Sequence, residues 1–578
     1  MSMLRRFTIT ATVAAATFVS ACNSSDSTGP SAPLPVLGLS ATATGSSTAR
    51  ITFSGRTGES YDIERAEGAA GTFTTVTLIA ALTADATQTY NDNGLKVTTL
   101  YRYRVTSIKN GARTPSAETS ATTLAFGSAA ASITTDITAS RTLYADTAYT
   151  LSGFIHVANG ATLTIQPGTT IKGDFNTVGS TLMILRGAKI QAVGTADAPI
   201  VFTSSRPAGS RQPGDWGGLV LIGNAPANRS GTVNVEGTGT SAGTTTGTNY
   251  LVQYNGGTVA TDNSGTLAYV RVEFGGYAPL QDQEFNSFTF AAIGSGTRAS
   301  YLESLAGLDD SFEFFGGGFD LDHLIAFETA DDVLDMSEGF SGRIQYVIAM
   351  STVQLTPRTG AGFYSVDLQG IENDGCNGTG CDLGHDSQPY TMPLIANFTI
   401  IGCGQASCMG AGGGHGMMLR RGTGGYYVNG VIARWSTDGV SLRDAFTYTR
   451  AGGTATPSAS ANLQIRNVLF AETNNLAFQA ASATQNVLDL TANSLTLSTA
   501  TAASLFTAIP AVGSAPTSLA AFDFSPTTGS AIASGGLTTF TGAIATKAGT
   551  FVTGTSYLGA AAPGGTKWWT GWTNYTRN

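Results

Sequence analysis

The chain contains few charged residues, and basic residues are fewer than acidic ones. Only 12% of its 578 residues are charged, and 30 Lys and Arg stand against 39 Asp and Glu, which gives a formal net charge of -9. A protein that binds nucleic acid needs a basic patch that displaces counterions from phosphate. The composition therefore excludes nucleic acid as a partner.

Long hydrophobic runs and cysteines are also scarce. After residue 22 no apolar run approaches the roughly 18 residues that a membrane-spanning helix requires. The sequence therefore predicts no membrane-spanning helix beyond the first residues. The chain contains five cysteines, of which Cys22 stands alone near the start and the other four lie between 376 and 408.

Glycine is abundant, at 72 residues. Runs of Val, Ile, Leu and Phe are short, and Gly, Asn and Asp interrupt them. This pattern is typical of an all-β protein with many short strands and tight turns. Because the chain is too long for one compact core, we expect at least two domains, one of them elongated by repeats.

The first residues carry an export signal. Arg5 and Arg6 form a basic region, residues 7–18 form an apolar stretch too short to span a bilayer, and a Val-Ser-Ala-Cys tetrapeptide ends at Cys22. This leader resembles a bacterial lipoprotein signal peptide. The resemblance implies that residues 1–21 are removed and that diacylglycerol on Cys22 makes the membrane a partner. An ordinary secretory signal with an incidental cysteine is the alternative.

The resemblance also implies a location, which is exported and lipid-anchored at the cell surface. Asn23 follows Cys22 at the position where Asp retains lipoproteins in the inner membrane, so analogy favours the outer membrane. The Ser-, Gly- and Pro-rich sequence of residues 22–35 cannot bury enough apolar surface to fold, which predicts a flexible linker after the lipidated cysteine.

Alternating strands are predicted over residues 36–124, including SYDIER at 60–65 and YRYRV at 101–105. With TYNDNGL at 89–95, these motifs resemble a fibronectin type III domain, an immunoglobulin-like sandwich. The resemblance implies that Tyr101 forms the tyrosine corner of the sandwich. Phe53 departs from the family pattern, since many members have a core Trp there.

From residue 128 to residue 578 the pattern changes to short strand segments separated by Gly. DDSFE at 309–313 realigns with DDVLD at 331–335 at a spacing of 22, and LDHLIA at 321–326 realigns with IQYVIA at 344–349 at a spacing of 23. A repeat of this length with three strands per turn indicates a solenoid of stacked coils.

The same region resembles a right-handed parallel β-helix of the pectin-lyase-like class and, more narrowly, a family of uncharacterised bacterial surface lipoproteins. The motifs that carry the resemblance include TLTIQPGTTIKG at 162–173, GDWGGLVLIGNAP at 214–226 and WWTGWTNY at 568–575. The predicted fold class is therefore all-β, with an N-terminal immunoglobulin-like sandwich followed by a long right-handed parallel β-helix.

Stacked carboxylates are the strongest candidates for chemistry. Residues one coil apart lie about 4.8 Å from each other, so like positions of the repeat superpose. Such carboxylates repel one another unless protons, water or a cation intervene. Three interpretations are open: side chains that cap turns and point into water, a Ca²⁺ site that includes Asp309, Asp310, Asp331 and Asp332, and a catalytic set drawn from Asp310, Glu313, Asp332 and Asp335.

A second acidic zone is predicted to be a loop near 367–410. Asp374 and Asp382 in this zone extend the set of candidate Ca²⁺ ligands. Ca²⁺ is the cofactor that these acidic residues suggest.

Four cysteines pin this loop in the prediction. In an exported protein their close spacing predicts disulfides between Cys376 and Cys381 and between Cys403 and Cys408. The alternative is a zinc site with His385 and His415 nearby.

Other motifs give weaker signals. The Gly-His-Gly tripeptide at 414–416 occurs in polygalacturonases, but the other motifs of those enzymes do not match this chain. A lyase needs a base, and His323 and Arg343 are the basic groups in the acidic repeat. Trp568, Trp569 and Trp572 are expected to cap the open end of the solenoid.

The function expected from these features is to bind or organise extracellular material, either polysaccharide or a surface protein, without catalysis. One alternative is an enzyme that degrades polysaccharide, a lyase or a glycoside hydrolase that uses the stacked carboxylates. The other is a purely structural stalk or matrix protein.

Overall fold

The structure is a computed structural model that describes residues 32–231, 233–238, 252–279, 283–452, 462–474, 479–480 and 493–576. The leader and Cys22 lie outside the described residues. The chain divides into two compact units, with the boundary between Thr123 and Leu124. Within the described part of the chain, no helix combines the length and the apolar character needed to cross a bilayer.

The first unit is an antiparallel sandwich. One sheet has the order β1-β2-β5, and the other has the order β4-β3-β6-β7 with β8 also paired to β6. Its strands are β1 (Leu37–Ala43), β2 (Thr48–Gly55), β3 (Ser60–Glu67), β4 (Thr74–Ile79), β5 (Ala86–Asn93), β6 (Leu100–Lys109), β7 (Ala112–Pro115) and β8 (Thr119–Thr122).

Alternation of buried and exposed residues builds the core of this sandwich. On β2, Ile51 and Phe53 are buried while Arg50 and Ser54 are exposed, as expected for a strand with one solvated face. Phe53 packs edge-on against Tyr61, with 5.0 Å between the ring centroids. The hydroxyl of Tyr101 accepts a hydrogen bond from the Lys96 N–H at 2.9 Å, which ties β6 to the preceding loop.

The second unit is a parallel β-helix. Its coil strands are β9 (Ala129–Ile133), β10 (Arg141–Leu143), β11 (Thr147–Leu151), β12 (Phe154–Val157), β13 (Thr162–Ile165), β14 (Thr170–Gly173), β15 (Thr181–Ile184), β16 (Lys189–Val193), β17 (Ile200–Ser204), β18 (Gly218–Ile222), β19 (Gly265–Glu273), β20 (Phe288–Ala291), β21 (Arg298–Gly307), β22 (Phe312–Phe315), β23 (Asp320–Thr329), β24 (Asp332–Ser337), β25 (Arg343–Met350), β26 (Gln369–Asp374), β27 (Leu394–Ile401), β28 (Met417–Arg420), β29 (Gly425–Ala433), β30 (Ser441–Leu442), β31 (Leu463–Ala471), β32 (Gln479–Ala480) and β33 (Leu495–Ser498).

Two parallel sheets run along this helix. The ten-stranded sheet has the order β12-β15-β18-β20-β22-β24-β26-β28-β30-β32, and the long sheet contains the remaining coil strands. Glu313 pairs with Asp335 in the first sheet, and Leu321 pairs with Ile344 in the second. These registers confirm the predicted repeats of 22 and 23 residues and show that the two repeats belong to different faces of the coil.

From β19 onward, strands of the long sheet bend and so serve two faces of the coil. The bends stack into a corner ladder whose residues have φ values between 51° and 67°: Tyr269, Tyr301, His323, Tyr346, Asn397, Asn429 and Asn467. Such left-handed backbone costs a non-glycine residue on the order of 1–2 kcal/mol. Ring stacking opposes this cost, since the rings of Tyr269 and Tyr301 and those of Tyr301 and His323 lie 4.3 Å apart.

The described part of the unit also contains three short α-helices, three single-turn 3₁₀ helices and two further strands. The α-helices and strands are α1 (Ala445–Arg450), α2 (Ala502–Leu505), α3 (Gly542–Ala548), β34 (Phe506–Ala508) and β35 (Asp523–Pro526). Asp444 begins α1, because its side chain accepts hydrogen bonds from the Phe446 and Thr447 N–H groups, both at 2.9 Å.

The C-terminal segment, residues 502–575, covers the outer face of the long sheet. Trp569 and Trp572 are each 1% exposed and belong to one apolar cluster with Ile325 and Phe327 of β23. The Trp572 carbonyl also accepts a hydrogen bond from the Arg271 guanidinium of β19 at 3.1 Å. The expectation that the tryptophans cap the open end is therefore wrong, because the apolar outer face of the middle coils is what they bury.

This packing predicts a graded effect of the tryptophans on stability. Trp572→Ala is expected to destabilise the protein by about 3–5 kcal/mol, since a fully buried aromatic ring is lost. Trp568→Ala should cost less, because Trp568 is only partly buried. Urea denaturation followed by circular dichroism measures both. Equal midpoints for the two variants would contradict the lateral packing.

Candidate functional site

The ten-stranded sheet carries acidic residues on its outward face. On β22, Phe312 and Phe314 point into the core, where they stack on the phenylalanines of β20. Because side chains alternate along a strand, Glu313 between them points outward. The same position is held by Asp335 on β24 and by Glu372 on β26.

Register places carboxylates of successive coils over one another. Glu313 pairs with Asp335, which pairs in turn with Glu372. The same register aligns Asp310, just before β22, with Asp332, the first residue of β24, and an oxygen of Asp310 accepts a hydrogen bond from the Asp332 N–H at 2.8 Å. The stacking predicted from the repeat is confirmed.

The outward face of these strands does not lie open to water. Residues drawn from 229–231, 233–236, 283–286, 365–377 and 412–421 line a cavity of about 770 Å³ around it. Asp310, Glu313 and Asp332 are only 5%, 4% and 4% exposed. The interpretation of turn-capping side chains that point into water is therefore wrong, although Asp310 does cap an N–H inside the cavity.

The cavity is strongly acidic. Twelve carboxylates and four arginines line it, namely Glu236, Glu284, Asp309, Asp310, Glu313, Asp331, Asp332, Asp335, Glu338, Asp367, Glu372 and Asp374, with Arg229, Arg420, Arg421 and Arg443.

Burial and mutual repulsion raise the pKa values of these acids. Burial, and then the Glu372 carboxylate, raises the pKa of Asp332 and of Asp335 well above the usual range. Burial raises the pKa of Asp331 to about 6. Burial and the Asp374 carboxylate raise the pKa of Glu372 to about 8. At neutral pH the cavity therefore retains protons unless cations replace them.

The first coil of the stack behaves in the same way. Burial, followed by the neighbouring Asp331 carboxylate, raises the pKa of Asp309 well above its usual range. Burial and Asp309 do the same to the pKa of Asp310. Burial and Glu236 raise the pKa of Glu313. The shifts have one cause, which is that like charges share a space with little water.

Two overlapping triads have the geometry of a cation site. The carboxylate oxygens of Asp309, Asp310 and Asp331 lie within 4.8 Å of one another, and those of Asp310, Asp332 and Asp335 do likewise. Asp310 belongs to both triads. Among the described residues, one buried oxygen of Asp332 and one of Asp335 have no hydrogen-bond partner. Hard oxygen ligands in such a cluster suit Ca²⁺.

The two acids predicted in the second acidic zone are separated in the structure. Asp374 lines the cavity, where it accepts a hydrogen bond from Arg420 at 2.9 Å and pairs with Arg421. Asp382 is exposed away from the cavity lining, and its carboxylate accepts a hydrogen bond from the Ser230 hydroxyl at 2.7 Å. The placement of Asp382 separates it from the other candidate ligands.

The four later cysteines form the predicted disulfides. The Cα atoms of Cys376 and Cys381 are 5.8 Å apart, and those of Cys403 and Cys408 are 6.6 Å apart, within the usual range for disulfides. Because the sulfurs are bonded to each other, they do not ligate zinc. Gly375 and Asn377, beside the first bridge, line the cavity.

Neither basic residue suggested as a lyase base lies at the cavity. His323 belongs to the corner ladder, and its Nδ1 lies 2.5 Å from Asp322. Arg343 donates to both oxygens of Asp320 at 2.7 Å. Both residues are on the long sheet. The spacing of the repeat does not tell which sheet each segment joins. It therefore could not show that the acidic segments lie on the ten-stranded sheet while His323 and Arg343 lie on the long sheet.

The sequence did not reveal the arginines of the cavity. Arg420 and Arg443 lie on or beside β28 and β30, which follow β26 only after residues 375–416, a long segment that contains β27 and both disulfides. That insertion breaks the spacing of 22 to 23 residues, so no repeat aligns these arginines with the acids. A signal does remain in the composition, since Arg420 and Arg421 are adjacent in a chain with few basic residues.

Comparisons with known proteins bear on the fold of this site. Residues 135–511 match the family described as the pectate-lyase-like β-helix domain. A search of curated proteins finds no match. Among solved structures, the sensor domain of the anti-sigma factor RsgI4 of Pseudobacteroides cellulosolvens is 17% identical, with 16% of this chain and 92% of that chain covered and a TM-score of 0.12, a likeness that carries no argument. Because the family match covers well over half of the sequence, the chain belongs to the pectate-lyase-like β-helix domain family.

Proposed function

We propose that this protein binds an extracellular polysaccharide at the acidic cavity through Ca²⁺, without cleaving it. Asp310, Asp332 and Asp335 hold one cation in this proposal. Asp309 and Asp331 supply further oxygens beside Asp310.

The unpartnered oxygens of Asp332 and Asp335 carry the proposal. A buried polar group without a partner costs roughly 1–3 kcal/mol, and more when it is charged. The guanidinium of Arg420 is engaged by Glu372 and Asp374. A divalent cation between Asp310, Asp332 and Asp335 would satisfy all three carboxylates at once.

The coordination needs of Ca²⁺ favour a polysaccharide as the second ligand. Ca²⁺ takes about six to eight oxygens, so a carboxylate triad leaves positions for hydroxyl or carboxylate oxygens of a sugar. The cavity of about 770 Å³ is of a size that accommodates a ligand segment. The family description names pectate lyases, whose substrate is a polysaccharide, which supports the same class of ligand.

The proposed location is the outside of the cell. The leader, the lipobox cysteine Cys22 and the two disulfides all fit an exported protein anchored by lipid in the outer membrane. The linker of residues 22–35 then separates the lipid from the folded units. Extracellular fluid also supplies Ca²⁺ at concentrations that fill sites of modest affinity.

Asp335→Asn separates a cation site from a structural role. The substitution removes a repulsive charge, so the cation-free protein is expected to melt at a higher temperature than wild type. The same change should weaken Ca²⁺ binding by about tenfold or more, since a charged ligand is lost. Thermal melts with chelator and isothermal titration with CaCl₂ measure the two effects.

Asp382→Asn is the matched control, because Asp382 is exposed and lies outside the cavity lining. It should leave both quantities at the wild-type values. Equal Ca²⁺ affinities for wild type and Asp335→Asn would rule out the triad as the cation site.

The raised pKa values predict an unusual pH dependence of stability. The unfolded chain ionises its carboxyls near pH 4, whereas folded Asp331 and Glu372 retain protons until about pH 6 and about pH 8. Without cations, stability is therefore expected to fall as pH rises from about 5 to about 8. With Ca²⁺ present, deprotonation favours binding, so the melting temperature gained from Ca²⁺ should grow over the same range.

Melting curves at several pH values, with chelator and with Ca²⁺, test this sign. The double variant Asp331→Asn with Glu372→Gln removes both titrating groups and should flatten the cation-free trend. If the cation-free protein becomes more stable between pH 5 and pH 8, the cavity acids are ionised in the absence of a cation, and their pKa values are not raised.

One observation favours catalysis as a second candidate function. Burial raises the pKa of Glu372 to about 8, and Glu372 shares Arg420 with Asp374, which also forms an ion pair with Arg421. A carboxyl with a raised pKa beside a carboxylate in an ion pair is the arrangement of a catalytic acid and its partner. The triad oxygens within 4.8 Å also approach the spacing of a retaining glycosidase. Asp310, Glu313, Asp332 and Asp335 are the groups that this enzyme would use.

An assay for new reducing ends and for unsaturated uronate absorbance decides between binding and cleavage. The purified protein with acidic and neutral polysaccharides and Ca²⁺ is expected to give no product. Product that disappears in Asp332→Asn would make this an enzyme. If no polymer gives product and none binds saturably, the purely structural function is the one that remains.

A further inference from the structure

Arg443 differs from the other three arginines of the cavity. Arg229 pairs with Glu338 at 2.6 Å, and Arg420 and Arg421 both pair with Asp374. Within the described residues, no carboxylate lies at ion-pair distance from Arg443. Its Nε donates instead to the Ser441 hydroxyl at 3.0 Å, and its Nη2 contacts Nε2 of His415 at 3.1 Å. The guanidinium charge of Arg443 is therefore not neutralised by a protein anion in contact with it.

A buried pair behind Arg443 fixes its contact with His415. A guanidinium only donates hydrogen bonds, so Nε2 of His415 must accept. The proton of the neutral imidazole then lies on Nδ1, which is 2.9 Å from an oxygen of Asp438. His415 is 5% exposed and Asp438 is fully buried. These hydrogen bonds fix one tautomer of His415, which donates through Nδ1 to Asp438 and accepts through Nε2 from Arg443.

The backbone of the β-helix builds this arrangement. His415 and Asp438 face each other in a parallel bridge between adjacent coils, and the Gly416 N–H donates to the Asp438 carbonyl at 2.9 Å. Arg443 follows β30 directly and aligns with Arg420 on the preceding coil, since Leu442 pairs with Leu419. The position of the guanidinium is therefore set by coil stacking rather than by a mobile loop.

The contacts of Arg443 leave one edge of its guanidinium available. Nε and one N–H of Nη2 are used by Ser441 and His415. Among the described residues, the edge formed by Nη1 and the second N–H of Nη2 makes no hydrogen bond, and Arg443 lines the cavity. Two parallel N–H groups match the two oxygens of a carboxylate or of a sulfate ester.

We propose that Arg443 selects polysaccharides that carry an oxyanion, a carboxylate or a sulfate ester, and that the His415–Asp438 pair positions it for this contact. The inference rests on the proposed function, because the cations hold the same ligand. Arg443 is three coils from Asp335, through β26 and β28 to β30, which is about 14 Å at the strand spacing. The ligand must therefore be an extended chain that meets the cations at one end of the cavity and Arg443 at the other.

Matched polymers and variants test this selection. Wild type, Arg443→Gln and Arg443→Lys are titrated in Ca²⁺ with dextran, dextran sulfate, polygalacturonate and methyl-esterified pectin. Wild type should prefer the charged member of each pair. Arg443→Gln should lose about tenfold to a hundredfold of that preference with Ca²⁺ binding unchanged, because a charge-assisted bidentate contact is lost. Arg443→Lys should recover only part of it, since ammonium lacks the planar fork.

Two further variants separate positioning from folding. Arg141→Gln is the control, because Arg141 is an exposed arginine of the same unit outside the cavity lining, and it should change nothing. His415→Ala should lower the preference for the charged polymer while leaving affinity for the neutral one. Added guanidinium should restore binding of charged polymer to Arg443→Ala, an effect that a structural role would not produce.

The outcomes are distinct. If wild type prefers dextran sulfate over dextran but does not distinguish polygalacturonate from methyl-esterified pectin, the oxyanion is a sulfate ester. The opposite result identifies a carboxylate. The inference is overturned if Arg443→Gln keeps the full preference for the charged polymer. It is also overturned if wild type binds both members of each pair equally. Either result leaves cation-dependent binding in place. If wild type binds none of the four polymers, both the proposed function and this inference fail.

Discussion

The in-register stacking of parallel coils is the constraint on which the rest of the structure depends. At a spacing of about 4.8 Å, each residue meets the residue at the same position of the next coil. Inside the helix this makes ladders of like apolar groups, such as Phe290 over Phe314 with 5.3 Å between centroids. Outside the helix the same rule places Glu313, Asp335 and Glu372 over one another. One geometry therefore produces both the core and the electrostatic repulsion of the cavity.

Much of this follows from the sequence, because a repeat of 22 residues implies register without any knowledge of loops. It was enough to predict the β-helix and the stacked carboxylate pairs. It was not enough to predict burial, since the segments that enclose the cavity come from insertions far apart in the chain. For the same reason Arg443 was missed, Asp382 was grouped with residues that it does not approach, and the tryptophans were assigned to the end of the helix although they cover its side.

Two acids outside the cavity are each paired with an arginine. In the sandwich, Glu64 accepts hydrogen bonds from Arg104, which contributes to a lowered pKa of Glu64. On the long sheet, Asp320 is held by both arms of Arg343. The cavity differs from these two sites, because twelve carboxylates line it beside only four arginines, and the pKa values of the stacked acids rise instead of falling. Repulsion on this scale opposes folding of the cation-free chain.

The fold does not require that repulsion. Met418 occupies the next position of the same column after Glu372, and it is 2% exposed. An apolar side chain is thus accommodated on this face of the ten-stranded sheet, and replacing buried charges by apolar residues of similar volume is often neutral or stabilising. Glu313, Asp335 and Glu372 therefore weaken the isolated protein at positions where the scaffold tolerates a hydrophobic residue. Sites that lower stability in this way are typical of function. The proposed Ca²⁺, held by Asp335 together with Asp310 and Asp332, would turn part of this cost into a source of stability.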